Sequence, residues 1–99
     1  MDSVLNESWF AMSLVQQMVN IGNEVKRAVK FDSDNVKKDM FLERAIRYTE
    51  LTMSDPKNIH VLPELDISKK VLEDYKEEHI LDCTKEQISN YYNAYANLL

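Results

Sequence analysis

The sequence predicts an all-α protein in which four helices form an up-down bundle. Three observations support this fold class. The 99 residues include one glycine and two prolines, too few for the turns of a β-rich fold. Apolar residues recur at helical spacing, and two Ser/Thr-x-x-Gln sequences are typical of helix starts. The length suits one core. We therefore expect a single helical domain over residues 1–99, with residues 1–12 as a partly extended lead.

The first predicted helix covers residues 13–31 and begins with a capping box formed by Ser13 and Gln16. Its apolar stripe includes Gly22, the only glycine of the chain. A glycine inside a helix costs about 1 kcal/mol relative to alanine. We therefore predict that Gly22 is a close-packing position, approached either by an aromatic ring of the same chain or by a second copy of the helix. A tyrosine of the last helix would account for it.

The second predicted helix covers residues 34–54, after a polar break that offers N-cap residues. Apolar residues outside its main stripe, and two aromatic residues of the lead, are possible partner contacts: Trp9, Phe10, Val36, Met40 and Leu51. Two alternatives stay open. The aliphatic residues and Met40 are equally explained as scattered surface residues, and Trp9 with Phe10 as an apolar lid over the end of the bundle.

The third and fourth predicted helices cover residues 63–78 and 84–98. Residues 55–66 are ambiguous: Asp55 can cap a short helix with Pro56 at its first position, which Pro63 would stop or kink. The third helix should bury Ile67, Ser68, Val71, Leu72 and Tyr75. The last helix opens with a capping box at Thr84 and carries the stripe Ile88, Tyr91, Tyr92, Tyr95, Leu98 and Leu99. Core packing is the favoured role of these tyrosines.

The net charge of −5 is concentrated in one segment, because residues 64–82 hold seven acids and three lysines. This distribution argues against direct nucleic-acid binding, which needs a basic surface. It also suggests an acidic face, formed by Glu73, Asp74, Glu77 and Glu78. No apolar run approaches the roughly 20 residues of a membrane span. The single cysteine and the start of the chain favour a reducing, cytoplasmic setting.

Catalytic and cofactor sites are not expected. One glycine cannot form a glycine-rich phosphate loop, and Cys83 follows an aspartate that would not activate it. Neither histidine follows a glutamate by three residues, as helical di-metal sites require. A minor alternative is a metal site built from the acidic face with His79 and Asp82. We expect a non-enzyme without metal or cofactor.

A pattern of residues in the first half is similar to that of short bacterial helical proteins of uncharacterised function, some of which are encoded near nucleotidyltransferase-like proteins. The pattern covers roughly residues 6–57 and consists of Ser8-Trp9-Phe10-x-Met12-Ser13-Leu14-x-x-Gln17-x-x-Asn20-Ile21-Gly22-x-Glu24-Val25-x-Arg27-Ala28, Glu43-Arg44-Ala45 and Leu51-Thr52-x-x-Asp55-Pro56-Lys57. The second half departs from this group, which has a more basic third helix. The resemblance implies an accessory or antitoxin-like subunit and carries no catalytic residue.

Two functional hypotheses follow. The first is a small interaction protein that binds a protein partner or associates with itself. The second is an acidic inhibitor or nucleic-acid mimic, in which the acidic face binds a basic protein surface.

Overall fold

All regular structure in the described part of the chain is helical. The computed structural model describes residues 3–78 and 84–98, with side chains for residues 6–77 and 84–98. Five α-helices follow one another: α1 (Ser3–Phe10), α2 (Leu14–Lys30), α3 (Asn35–Ser54), α4 (Leu62–Glu73) and α5 (Lys85–Ala96). A 3-10 helix (Pro56–Val61) joins α3 to α4, and a π-helical turn (Asp74–Glu78) follows α4. The predicted all-α class is confirmed.

Local sequence signals determine where the helices begin. The Ser13 side chain accepts a hydrogen bond from the backbone N–H of Gln16, whose own side chain accepts one from the N–H of Ser13. Thr84 and Gln87 form the same reciprocal pair at the start of α5. Both capping boxes therefore satisfy backbone donors that a helix start leaves unpaired. The side chain of Asp34 caps α3 in the simpler way.

The ambiguous segment after α3 forms the 3-10 helix. The side chain of Asp55 caps it, accepting from the backbone N–H of Lys57 at 3.1 Å, with Pro56 in its first turn. Pro63 does not stop or kink this helix, which has ended at Val61. Instead Pro63 lies in the first turn of α4, where a missing backbone N–H costs no helical hydrogen bond.

Most of the described part of the lead is helical, because Ser3–Phe10 form α1, whereas a partly extended lead was expected over residues 1–12. Residues of α1 pack against α3, and Trp9 is buried with 4 % of its surface exposed. Burial of an apolar face stabilises a helix as short as α1, which would be marginal alone.

The core lies where α2 and α3 meet, with α5 against α2 and α4 against α3. Its buried hydrophobic residues come from every α-helix and from the π-helical turn: Trp9, Met18, Ile21, Val25, Ala28, Leu42, Ala45, Leu51, Leu65, Leu72, Tyr75, Ile88 and Tyr92. Leu51 was expected to be exposed and is buried. Because α3 contacts α1, α2, α4 and the 3-10 helix, it is covered on more sides than a single stripe implies.

Gly22 is buried against Tyr92 of α5. A Cβ placed on Gly22 would lie 2.7 Å from the Cβ and 3.3 Å from the Cγ of Tyr92. The predicted close contact is thus confirmed, and the partner is a tyrosine of the same chain. The missing side chain lets α5 approach the backbone of α2.

Asp32, in the turn between α2 and α3, joins three parts of the fold. It accepts a hydrogen bond from the Tyr75 hydroxyl at 2.6 Å, and the ammonium groups of Lys38 and Lys85 lie 3.4 and 3.7 Å from its oxygens. The hydrogen bond from Tyr75 and the nearby lysines lower the pKa of Asp32 although its partial burial acts in the opposite direction. Asp32 therefore links the α2–α3 turn to the π-helical turn and to the start of α5.

Candidate functional site

Trp9 is a structural residue rather than an exposed partner contact. Its ring stacks on Tyr48 with the centroids 4.7 Å apart, and its Nε1 donates to the hydroxyl of Thr52 at 2.9 Å. Phe10 is half-buried and packs against the core. These contacts agree with the lid interpretation, in which α1 covers one end of the other helices.

A buried polar network holds this lid in place. The amide nitrogen of Gln17 donates to the Trp9 carbonyl and to the carboxylate of Asp55, both at 2.9 Å. Asn58 donates to Gln17 at 2.9 Å and to the carbonyl of Thr52 at 3.0 Å. Buried amides that are paired in this way stabilise a unique arrangement of the helices.

Lys57 completes the network from the 3-10 helix. Its ammonium donates to the carbonyl of Phe10 at 2.9 Å and is paired with the carboxylate of Asp55. Burial alone would raise the pKa of Asp55, but hydrogen bonds from Lys57 and Gln17 lower it below its usual value. Trp9, Gln17, Asp55 and Lys57, which attach α1 to the fold, belong to the residue pattern of positions 6–57, so this part of the pattern has a structural explanation.

The predicted acidic face is only partly present. Glu73 and Glu77 are exposed and line a shallow pocket of about 190 Å³ together with Glu43, Ile46 and Lys76. The Lys76 ammonium lies 3.4 Å from Glu43 and 3.1 Å from Glu77, so one positive charge offsets part of the negative charge of Glu43, Glu73 and Glu77.

One other member of the predicted face does not contribute to it. Asp74 is buried, with 6 % of its surface exposed, so its place on an exposed face is wrong. The side chain of Glu78 lies outside the described residues. The acidic surface is therefore smaller than the sequence implied.

Of the three apolar residues predicted as partner contacts on the helix that is now α3, two are exposed. Val36 is 81 % exposed and Met40 is 40 % exposed. They lie one turn apart near the start of α3, and neither lines the pocket beside Lys76 or the groove between α4 and α5. Leu51 is buried and belongs to the core.

A groove lies on the surface between α4 and α5. It is open, has a volume of about 210 Å³ and is lined by Ile67, Ser68, Val71, Gln87, Ile88, Tyr91 and Tyr92. Most of the exposed lining is apolar. Apolar concavities with a few polar groups are typical of binding sites.

Two residues that the sequence assigns to the core are exposed, one in the lining of this groove and one after the end of α5. Ile67 was expected to be buried by the third helix, and 62 % of its surface is exposed. Leu98 was expected in the stripe of the last helix, and 69 % of its surface is exposed; Leu99 lies outside the described residues. Apolar residues of α4 and of the turn after α5 therefore extend beyond the surface that the described residues cover.

Hydrogen bonds between side chains bridge α4 and α5 at one end of the groove. The Tyr91 hydroxyl accepts from Ser68 at 2.9 Å and donates to Glu64 at 3.2 Å, and the Tyr95 hydroxyl donates to the same carboxylate at 3.3 Å. Because Tyr91 lies opposite Ser68 and Tyr95 opposite Glu64, residue numbers rise along α5 as they fall along α4. The two helices are antiparallel.

The Tyr95 phenol at this end remains a hydrogen-bond donor at neutral pH. Burial raises the pKa of Tyr95, and the hydrogen bonds with Tyr91 and Glu64 raise it further. The rings of Tyr91 and Tyr95 meet edge to face with centroids 5.7 Å apart. One end of the groove is therefore a polar, aromatic rim around a single carboxylate.

Within the residues 3–78 and 84–98, no three His, Cys, Asp or Glu side chains are grouped so that they could hold a metal ion. The candidate ligands His79 and Asp82, and Cys83, lie outside those residues. In the same part of the chain, none of the helices has the length and apolar character needed to cross a membrane. Comparison of the chain with protein-family models, curated proteins and solved structures finds no match.

Proposed function

We propose that this chain is a small, non-catalytic interaction protein whose partner docks on the groove between α4 and α5. In this proposal α2 to α5 form an up-down four-helix bundle with one incompletely closed seam, and α1 is its lid. Short connections between successive helices support such an arrangement. The groove is the place where the bundle would accept a side chain from outside.

The observation that carries the proposal is the exposure of Ile67 beside an apolar cavity. Ile67 belongs to the apolar stripe of α4, yet nothing in the described chain covers it. Burying an isoleucine side chain contributes about 1.5–3 kcal/mol. A partner that covers the exposed 62 % of Ile67 and fills the groove would gain the corresponding part of this energy.

The resemblance to bacterial accessory proteins is compatible with this function but does not locate it. The pattern spans residues 6–57 and includes the lid network apart from Asn58, whereas the groove is lined by residues of α4 and α5. We therefore propose that the first half supplies the scaffold and that the second half determines the partner. A nucleotidyltransferase-like protein remains one candidate for that partner.

The alternative of an acidic mimic has weaker support. The exposed carboxylates of Glu73 and Glu77 surround Lys76, which forms ion pairs with Glu77 and Glu43. A mimic of a nucleic-acid backbone needs a row of unpaired negative charges, and this cluster is partly neutralised.

The test compares affinity capture by the full chain with capture by two variants. Ile67→Asp places a charge in the lining of the groove, and Val36→Asp makes a matched change at an exposed position on α3 that does not line it. Both residues are exposed, so each change should alter the free energy of unfolding by less than about 0.5 kcal/mol. We expect a protein retained by the wild type and by Val36→Asp to be lost with Ile67→Asp.

The reverse pattern, with binding lost only in Val36→Asp, would place the interaction on α3 and refute the groove. Sedimentation of the same three proteins tests self-association. A dimer that dissociates in Ile67→Asp would identify the partner as a second copy of the chain. Unchanged capture and unchanged sedimentation in both variants would remove the proposal.

A further inference from the structure

The groove is polar at one end only. Glu64 lies at that end, where its Oε1 accepts from the hydroxyls of Tyr91 and Tyr95. The remaining lining is apolar apart from Ser68 and Gln87. A ligand that fills the groove would therefore meet hydrocarbon along most of its length and a carboxylate at one end.

Unlike Asp66, Lys69 and Lys70 on the same helix, Glu64 has no ionic partner among the described residues. Asp66 is paired with Lys70 at 2.9 Å, and Lys69 lies 3.4 Å from Glu50. Among the described residues, no cationic group lies within 4.0 Å of Glu64. The charge at the polar end is thus negative and uncompensated, in a chain whose net charge is −5.

The size of the apolar part suits one large side chain. A 150 Å³ apolar cavity in a protein accommodates benzene, and this groove provides about 210 Å³. Glu64 precedes Ser68 by four residues, which corresponds to about 6 Å along a helix. A helix lying along α4 would reach Glu64 about one turn away from a residue seated in the groove.

We propose that the groove receives an amphipathic helix of a protein partner that carries a lysine or arginine one turn from a large apolar residue. The apolar residue fills the cavity beside Ile67, and the cation pairs with Glu64. Docking a helix through apolar residues spaced by one turn is a common recognition mode. This inference rests on the proposed function and adds the chemistry of the partner to it.

The experiment uses two helical peptides of about 20 residues, long enough to form helix in water. Both carry two leucines four residues apart, followed four residues later by lysine in one peptide and glutamate in the other. Each is titrated into the ¹⁵N-labelled full chain, and chemical shifts locate the binding site. Two protein variants remove one negative charge each: Glu64→Gln, which can still accept from the tyrosines, and Asp66→Asn as the matched control.

We expect the lysine peptide to shift the amide signals of Ile67, Val71, Ile88 and Tyr91 and to bind the wild type more tightly than the glutamate peptide. Glu64→Gln should weaken binding of the lysine peptide about two- to five-fold, as expected for an exposed ion pair. Asp66→Asn should leave the preference for lysine intact.

Equal affinity of the two peptides for the wild type would overturn the charge inference while leaving the groove as a docking surface. Equal weakening by Glu64→Gln and Asp66→Asn would overturn the role of Glu64, because a general charge effect would then explain the preference. If neither peptide shifts signals in the groove, both this inference and the docking groove fail. A wild-type dimer that dissociates in Ile67→Asp would show that a second copy occupies the groove, and would overturn the basic helix as its occupant.

Discussion

Replacing Gly22 with alanine should destabilise the protein, although alanine is the better helix former. At an unconstrained position in a helix this change stabilises by about 1 kcal/mol. At Gly22 the new Cβ would lie 2.7 Å from the Cβ of Tyr92, whereas carbon atoms in favourable contact are about 3.5–4.0 Å apart. The helices α2 and α5 would have to separate by about 1 Å.

The magnitude follows from two opposing effects. Overpacking a well-filled core costs about 1–3 kcal/mol. The upper part of this range applies here, because the Cβ of Tyr92 is attached directly to the α5 backbone and no side-chain rotation can move it away. Subtracting the gain of about 1 kcal/mol in helix propensity leaves a net loss of about 1–2 kcal/mol, or roughly 4–16 °C in Tm for a domain of this size.

Urea unfolding followed by circular dichroism measures the change, and position 23 supplies the matched control. Asn23 is exposed on the same helix, so Asn23→Ala should be more stable than Asn23→Gly by about 1 kcal/mol. Glycine and alanine should therefore rank in opposite order at the two positions. If Gly22→Ala were as stabilising as the exchange at position 23, the close contact with Tyr92 would not exist in solution.

Three further predictions concern the polar contacts. Thr52→Val should lower the free energy of unfolding by about 1–3 kcal/mol, because it leaves the buried Nε1 of Trp9 without an acceptor. Urea unfolding followed through the fluorescence of this single tryptophan measures the change. An unchanged midpoint would contradict the prediction. Asp32 and Asp55 have lowered pKa values in the folded protein, so the stability that they contribute is present above their ordinary pKa of 3.8 and is lost as the pH falls through the lower folded values. The urea concentration at the midpoint of unfolding should therefore decrease as the pH is lowered from about 6 to 2. Tyr75→Phe removes the hydroxyl that donates to Asp32, so an NMR titration should show a higher pKa for this carboxyl, and no change would contradict the role of Tyr75.

Elements determined by neighbouring residues could be predicted from the sequence. The capping boxes at Ser13 and Thr84 need only contacts across three residues, and both are present. The position of Gly22 in a buried stripe was likewise readable from helical periodicity. The tyrosine that covers it could be proposed by type but not by number, because the choice depends on how α5 lies against α2.

Contacts between distant residues could not be predicted in the same way. Trp9 donates to Thr52, 43 residues away, and this hydrogen bond together with its burial distinguishes a lid from an exposed anchor. Asp74 shows the same limit, since an acidic residue in a charged segment is usually exposed, yet this one is buried in the π-helical turn.

The prediction that failed at Ile67 is the most informative for function. Helical periodicity assigns this residue to a buried stripe, and the rule that succeeded for α2 applies equally to α4. In natural proteins, places where otherwise successful sequence rules fail tend to coincide with functional sites. Ile67 is exposed because the groove between α4 and α5 is open. If the proposed partner helix covers the groove, Ile67 becomes buried, as helical periodicity predicts. The same reasoning does not extend to Val36, which lies outside the main stripe of α3 and needs no cover to satisfy the pattern.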